Sequence, residues 1–593
     1  MRPVPETPEL RRIRDLPRRT PTITPEVLDE LNELLGVFDK CPGARRPPVH
    51  GGLCSVCDQP MRLREKQALA ILELPSFLPL GVGQGKTLIT LVAPYVLDAK
   101  APLLFLPANL IEKTQRDRAA LSKHWRIPRH IRLMSYQMLG TAAHSEDLHA
   151  YKPDLIIADE AHWLKNTKGA AVARRMRRYM EDYPSTIFIP LSGTMMRRSP
   201  AEFGHLLRWS LKDNAPVPRT KNELEEWASA LEEDSKSKAR EAARMPPGAL
   251  LQLCSEEEIA TLPPVQAARA GFRRRLLDTH GIVATTGDGE RVDASIYIKA
   301  IKYPVSSATE KHFARLRQDW ELPSSEPLTE AVAVWRHARE LALGMHYEWR
   351  PPAPLPWLDA RREWSSFVRQ VLAHSRTLDS EKQVADAVLE GRVKDEGRLA
   401  RWLRIKPSFV PNTVPVWHDD SAIKVCAEWM KKPGVVWTEH YWFAEKLSRV
   451  TGAPYFGAKG LDAHGRYIDD APEPAVIASV KANREGRNLQ RKWNRCLFVS
   501  PPAGADIWEQ AIGRLHRPGQ RSDEVIVDML FGCAEHVDGW RQAVAAAHAI
   551  RDTTGAPQKI LSATVDCPSE EDVSRYSGFR WSGTSPRPFS LSA

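Results

Sequence analysis

Asp154-Leu-Ile-Ile-Ala-Asp159-Glu160-Ala161-His162-Trp163-Leu164-Lys165-Asn166 decides the fold. Its first half is a short continuous apolar run, which reads as a strand buried on both faces in a parallel sheet. Two adjacent carboxylates follow where the run ends. Ligands of open α/β sheets bind at the carboxyl ends of the strands. Asp159 can there hold a phosphate-bound Mg²⁺, leaving Glu160 to orient or deprotonate an attacking water. Two solvated acids capping a strand are the bland alternative. It loses only if the rest of the chain supplies the other parts of a phosphoryl-transfer site.

Working outward, Leu80-Gly-Val-Gly83-Gln-Gly85-Lys86-Thr87 supplies one. Its glycines let backbone N–H groups approach phosphates, and the helix that follows presents its positive end. Lys86 is placed to neutralise β/γ charge, and the Thr87 hydroxyl to ligate Mg²⁺. About 20 residues earlier, Gln67 can read an adenine edge through its amide. Further stretches read as strands that end in polar loops: Ala101–Leu106 before Asn109, Arg132–Met134 before Ser135 and Tyr136, and Thr186–Leu191 before Ser192, Gly193 and Thr194. Hydroxyl and amide groups at such ends can hold a nucleic-acid backbone. A second α/β rhythm starts near 421, with strands at 434–438, 475–479 and 496–500. The spacing of Gln510, Arg514 and Arg517 predicts one face of a helix starting near Asp506. Two guanidiniums there can stabilise charge on a transferring γ-phosphate.

GxGKT at 83–87, DEAH at 159–162 followed by Leu-Lys-Asn, and Ser-Gly-Thr at 192–194 resemble superfamily II helicases. The Leu-Lys-Asn and HRxGQ at 516–520 resemble the Swi/Snf-like branch of ATP-dependent DNA translocases. The likeness spans about 63–210 and 420–535. Leu80-Gly81 stand where that branch usually carries Asp-Glu. The resemblance implies an α/β fold of two RecA-like lobes with ATP and Mg²⁺ in the cleft between them. Catalytic residues would be Lys86, Asp159, Glu160, Arg514 and Arg517. Gln67, Gly83, Gly85, Lys86, Thr87, Asp159 and Gln510 would hold the nucleotide. Asn109, Ser135, Tyr136, Ser479 and Asn488 would touch nucleic acid, and Ser192, Gly193 and Thr194 would couple the two activities. The implied partner is duplex DNA. With no chromatin-reading module in evidence, a compact bacterial or phage-type member fits best. An RNA-directed helicase and a nucleic-acid-binding scaffold with an inactive ATPase stay as alternatives.

Cys41-x₁₂-Cys54-x₂-Cys57, with His50 between, reads as a candidate zinc knuckle whose four ligands are Cys41, His50, Cys54 and Cys57. The reading of reduced cysteines in a loop stands beside it. The chain of 593 residues carries a net charge of +10, which suits a nucleic-acid partner. Eight scattered cysteines, no signal peptide and no long apolar run lead to the expectation of a soluble cytoplasmic protein without a membrane span. The expected organisation is an N-terminal segment at 1–60, a first lobe at 61–300 with a helical insertion at about 210–265, and a helical connector at 301–420. A second lobe at 421–550 and a tail at 551–593, disordered after 568, complete it. Arg11, Arg12, Arg14, Arg18 and Arg19 read as a solvated arm. The prolines of 350–356 read as a rigid extended connector. No stretch stands out as a strand-separating wedge.

Overall fold

The structure, a computed structural model, describes residues 2–566 except 20–22, 47–51, 82, 166–169, 197–198, 233–243, 286–291, 293, 325–330, 376–377 and 379. The chain divides into two compact units. One comprises Met1–Gly289, Ser375–Gln383 and His548–Pro557; the other comprises Glu290–His374, Val384–Ala547 and Gln558–Ala593.

The first unit is built on four parallel strands: β1 (Pro102–Leu106), β2 (Arg132–Ser135), β3 (Leu155–Asp159) and β4 (Ile187–Leu191), in the order β2-β1-β3-β4. Leu104 lies opposite Leu133 on one side and Ile157 on the other. All five residues of β1 are buried, as are the first four of β3, because helices cover both faces. Leu78 bridges in parallel to Leu191, which brings the chain entering the phosphate loop alongside the edge of β4.

The N-terminal helices Pro8–Asp15 and Pro25–Leu35 start at Thr7 and Thr24, whose side chains accept from the third residue onward. Arg11, Arg14 and Arg18 are exposed, as a solvated arm requires, but Arg12 and Arg19 are not. Arg12 donates to the carbonyls of Asp213, Ala215 and Val217, and Arg19 pairs with the buried Glu73 at 2.8 Å. These arginines fasten the arm to the first unit.

The second unit carries β5 (Ser295–Lys302), β6 (Met345–Trp349), β7 (Thr413–Trp417), β8 (Gly434–Thr438), β9 (Tyr455–Phe456), β10 (Ala475–Ser479), β11 (Arg495–Phe498), β12 (Glu524–Phe531) and β13 (Thr564–Asp566). Seven of them form one parallel sheet in the order β13-β5-β12-β11-β8-β10-β9. Strand β5 comes from well before the second α/β rhythm and β13 from the tail, so the sheet is wider than the rhythm implies. The expected disorder after 568 falls outside the described residues. The stretch 301–420 is mainly helical and also contains an antiparallel pair, β6 with β7. The two parallel sheets meet the expected α/β class. Among the described residues no helix is long and apolar enough to cross a membrane.

Candidate functional site

Helix Lys86–Val96 begins directly after Gly85, which holds φ +71°. A Cβ at Gly85 would lie 2.2 Å from the Gln67 amide nitrogen, so only glycine fits. Gln67 is buried and uses both ends of its amide locally. Its oxygen accepts from Arg64 N at 2.9 Å and its nitrogen donates to the Gly85 carbonyl at 3.1 Å. In this arrangement Gln67 braces the loop from below. Arg64 donates to the Gly83 carbonyl at 2.9 Å, and Gly81 N donates to Thr285 Oγ1 at 2.9 Å. Nothing in the sequence singled out Arg64 or Thr285. Lys86 Nζ donates to the Leu80 carbonyl at 3.0 Å and lies 3.9 Å from Glu160. A cation held between loop carbonyls and a carboxylate at that distance is the charge arrangement a bound phosphate would take over.

At the end of β3 the chain turns sharply. Glu160 adopts φ +54°, a left-handed conformation uncommon for a residue with a side chain. Burial first, and then the Glu160 charge, push the Asp159 carboxyl up to about 6, against the pull of Lys86. Two carboxylates so crowded carry a cost that a divalent cation would relieve. Asp159 and the half-buried Thr87 hydroxyl offer the oxygen donors that Mg²⁺ takes, so the residues present fit that ion.

Glu160 also joins the loop after β4. Ser192 Oγ donates to Glu160 Oε2 at 3.3 Å and lies 3.2 Å from His162 Nδ1. His162 Nδ1 is 3.3 Å from the same Glu160 oxygen, and Thr194 N donates to Ser192 Oγ at 3.1 Å. A Cβ on Gly193 would come within 3.3 Å of the Leu80 carbonyl. Ser192, Gly193 and Thr194 are thus brought against both the carboxylates and the phosphate loop. His162 bridges Glu160 and Ser192.

Ser135 and Tyr136 are placed differently from the expectation. Both are buried. Ser135 Oγ caps the helix Tyr136–Gly140 by accepting from Met138 N, and Tyr136 donates to the Asp159 carbonyl at 2.8 Å. The Tyr136 ring is stacked between Phe105 and Trp163. Tyr136 thereby supports the carboxylate turn from inside the unit. Asn109 is half-buried in the short helix Ala108–Leu110.

In the second unit the helix Ala505–Ile512 begins where the spacing places it but stops before Arg514. The single helical face expected for Gln510, Arg514 and Arg517 is therefore not formed, because the chain leaves the helix at Gly513. The turn that follows still brings the two guanidiniums together. Arg514 Nη1 and Arg517 Nη1 both donate to the Arg487 carbonyl, at 3.3 and 3.2 Å. Arg517 also donates to Asn488 Oδ1 at 2.9 Å. Gln510 is buried, and its carbonyl accepts from Arg514 Nε at 3.1 Å. Asp469 anchors the group by accepting from Asn488 N and pairing with Arg487 at 3.2 Å. Ser479 is half-buried at the end of β10.

The cysteine cluster is assembled from two distant pieces of sequence. Cys41 Sγ lies 3.8 Å from both Cys54 Sγ and Cys57 Sγ, and Cys57 Sγ lies 3.1 Å from His124 Nε2. The four ligand atoms lie within 4.8 Å of one another. Zinc–sulfur bonds of about 2.3 Å in a tetrahedron put sulfurs about 3.8 Å apart, which is the spacing here. A Cβ on Gly43 would fall 2.2 Å from Cys54 Sγ, so the knuckle needs a glycine there. Burial pushes the His124 imidazole toward its neutral, metal-binding form. His50, the fourth ligand expected from sequence, lies outside the described residues. His124 follows the helix Ile111–Leu121, too far along the chain for a knuckle pattern to find.

No family model matches the chain. No curated protein matches it either. Among solved structures it is similar to the helicase domain of Hef from Pyrococcus furiosus, at 13% identity and a TM-score of 0.35, over 81% of this chain and 98% of that one. At that identity and score, the functional reading rests on the chain's own residues.

Proposed function

We propose that this chain is a nucleic-acid-stimulated ATPase and, within that class, a translocase on duplex DNA resembling the Swi/Snf-like branch of superfamily II. The observation that carries the reading is Lys86 at the start of its helix, 3.9 Å from Glu160 at the end of the neighbouring β3. Few functions other than binding and cleaving a nucleoside triphosphate use a glycine loop, a lysine and paired carboxylates together.

Gly83, Gly85 and Lys86 cradle the phosphates, while Thr87 and Asp159 hold Mg²⁺, which supplies charge neutralisation on the phosphate oxygens. Glu160 takes the proton of the attacking water. Gln67 fixes the loop and contributes to the adenine end, with Gln510 as a second nucleotide contact. Arg514 and Arg517 stabilise charge developing on the transferred phosphoryl group. Asn109, Ser479 and Asn488 contact nucleic acid. Ser192, Gly193 and Thr194 link Glu160 to the phosphate loop and so couple hydrolysis to movement. Cys41, Cys54, Cys57 and His124 hold a structural zinc that ties the N-terminal segment to the rest of its unit.

ATP turnover with duplex DNA, single-stranded DNA and RNA offered separately tests this reading. Duplex DNA is expected to stimulate at least as strongly as single strands, independent of sequence, and less as salt rises, because phosphate contacts release counterions. Stimulation by RNA alone would move the chain to the RNA-directed helicases. Absence of turnover under every condition would make it a scaffold.

A further inference from the structure

Residues 350–354 form one of two adjacent loops at the tip of the stretch between β5 and β8; the extended connector expected through Pro356 ends early, because helix Leu355–His374 starts there. Pairing of β6 with β7 continues through Arg350 N, which donates to the Asn412 carbonyl at 2.9 Å. Trp357 Nε1, in the first turn of that helix, donates to the Lys406 carbonyl at 3.2 Å, so residues 350–354 and the helix start lie beside residues 406–412. An aromatic cluster joins the two segments. The Trp357 ring lies 5.1 Å from Phe409, 5.4 Å from Trp402 and 6.0 Å from Trp349.

Outside this platform the surface is apolar and open. Leu355 is 75% exposed and Val410 79%, among the most exposed large apolar side chains of the chain. Pro351, Pro352, Pro356 and Pro407 flank them, also exposed. Exposed apolar side chains on two adjoining segments suit an interaction site.

Its rim selects the partner. Arg361 stacks on Trp349 and Trp357, at 5.7 and 5.2 Å, and Lys406 lies over Trp402 at 5.8 Å. These two and the exposed Arg404 have no carboxylate within ion-pair distance among the described residues, whereas Arg350 and Arg362 are matched by Glu348 and Asp359. Three unmatched cations around an apolar wedge suit a polyanion that also offers a flat apolar face. Leucine and proline wedges fill the gap left where bases unstack, while neighbouring cations meet the flanking phosphates.

We propose that this tip seats on an open end or unstacked step of a nucleic-acid duplex. The inference rests on the reading of the chain as a nucleic-acid-stimulated ATPase, and the test separates the two.

The full chain is offered a blunt or forked duplex carrying 2-aminopurine at its terminal pair, and the same duplex closed by loops at both ends. Affinity and ATP turnover are measured for each. Open ends are expected to bind about tenfold tighter, the equivalent of one stacked base, with a change in 2-aminopurine emission. The double variant Leu355→Asp/Val410→Asp is expected to lose that preference while keeping turnover at saturating closed duplex. Arg404→Ala/Lys406→Ala is expected to weaken end binding and reduce its salt dependence. Equal affinity for open and closed duplexes, or a preference that survives the double aspartate variant, overturns the proposal. Displacement of the open duplex by a polyglutamate peptide at equal charge concentration overturns it in favour of an acidic protein. An ATPase unresponsive to every nucleic acid, with the end preference intact, overturns the motor reading and leaves the tip assignment standing.

Discussion

The carboxylate turn of the first unit and the arginine turn of the second hold charge in opposite ways. Asp159 and Glu160 are crowded together, one with a raised proton affinity and the other with a left-handed backbone. Arg514 and Arg517 have carbonyl and amide oxygens to donate to, and Asp469 braces the loop that supplies them. The acidic turn stores a cost that a bound cation relieves; the basic turn spreads its charge over backbone and amide oxygens. Substitution should therefore separate activity from stability differently in the two places.

The largest effect is expected at the basic turn. Arg517→Ala should lower turnover by about 10³ or more, as for other arginines that act on a transferring phosphate, with ATP affinity nearly kept. Its melting temperature should barely move, because Arg517 is half-buried and its acceptors can turn to water. Reduced ATP affinity with an unchanged rate per bound nucleotide would make Arg517 a binding residue only. Glu160→Gln should follow, losing about 10²–10³ in turnover while still binding ATP, since one preorganised group is worth that much. Near-normal turnover in this variant would remove Glu160 from the chemistry.

Asp159→Asn sharpens the contrast, because activity and stability should move in opposite directions. The folded protein holds the Asp159 proton more tightly than the unfolded chain does. Stability is therefore lost as pH rises from the ordinary value of 3.8 through about 6. Removing the charge should lower turnover by about 10² yet stabilise the ligand-free protein, by on the order of 1–3 kcal/mol at pH 7.5 and about half as much at pH 5. Thermal melts at the two pH values check it. An asparagine variant that melts lower at both would mean the carboxylate is well satisfied without metal.

The contrast also explains what the sequence made legible. The acidic turn was readable because its parts are local: an apolar run, two acids, a glycine loop and a lysine each announce themselves within a few residues. The arginine pair was readable as a pair, but its geometry was not. A helical period assumes the helix continues, and here it stops at Ile512 while the Arg487 carbonyl gathers the side chains. Tyr136 misled for a related reason. A hydroxyl at a strand end looks available until the rings of Phe105 and Trp163 close around it. Strands β5 and β13 join the second sheet from far along the chain, and no local pattern carries that pairing.

The metal cluster makes the same point. Cys54-x-x-Cys57 was legible, whereas His124 arrives only through folding. Purified protein should carry about one zinc. Cys54→Ser and His124→Ala should each lose it, and His50→Ala should not. Elemental analysis of protein purified without chelator decides this; retention by His124→Ala with loss by His50→Ala would reverse the assignment. ATP binding should survive zinc loss, since none of the phosphate-loop residues is a ligand.

The smallest effect is expected at Ser192, and it bears on how the acidic turn is coupled to the rest. Its buried hydroxyl lies within 3.4 Å of Glu160, His162 and Thr194 together. Ser192→Ala removes a hub without removing a reacting group. Glu160 keeps Lys86 at 3.9 Å, so basal turnover should fall by no more than a few fold. What the hydroxyl supplies is a fixed relation between the carboxylate and the loop after β4, through contacts each worth about 1 kcal/mol. Losing two of them should reduce DNA stimulation by about tenfold, seen as a lower ratio of DNA-stimulated to basal rate at saturating ATP. Thr194→Ala should do the same more weakly, because it reaches Glu160 by way of Ser192 and His162. An unchanged ratio in Ser192→Ala, alongside a lowered melting temperature, would reduce this network to a structural brace and leave the coupling to be sought elsewhere in the chain.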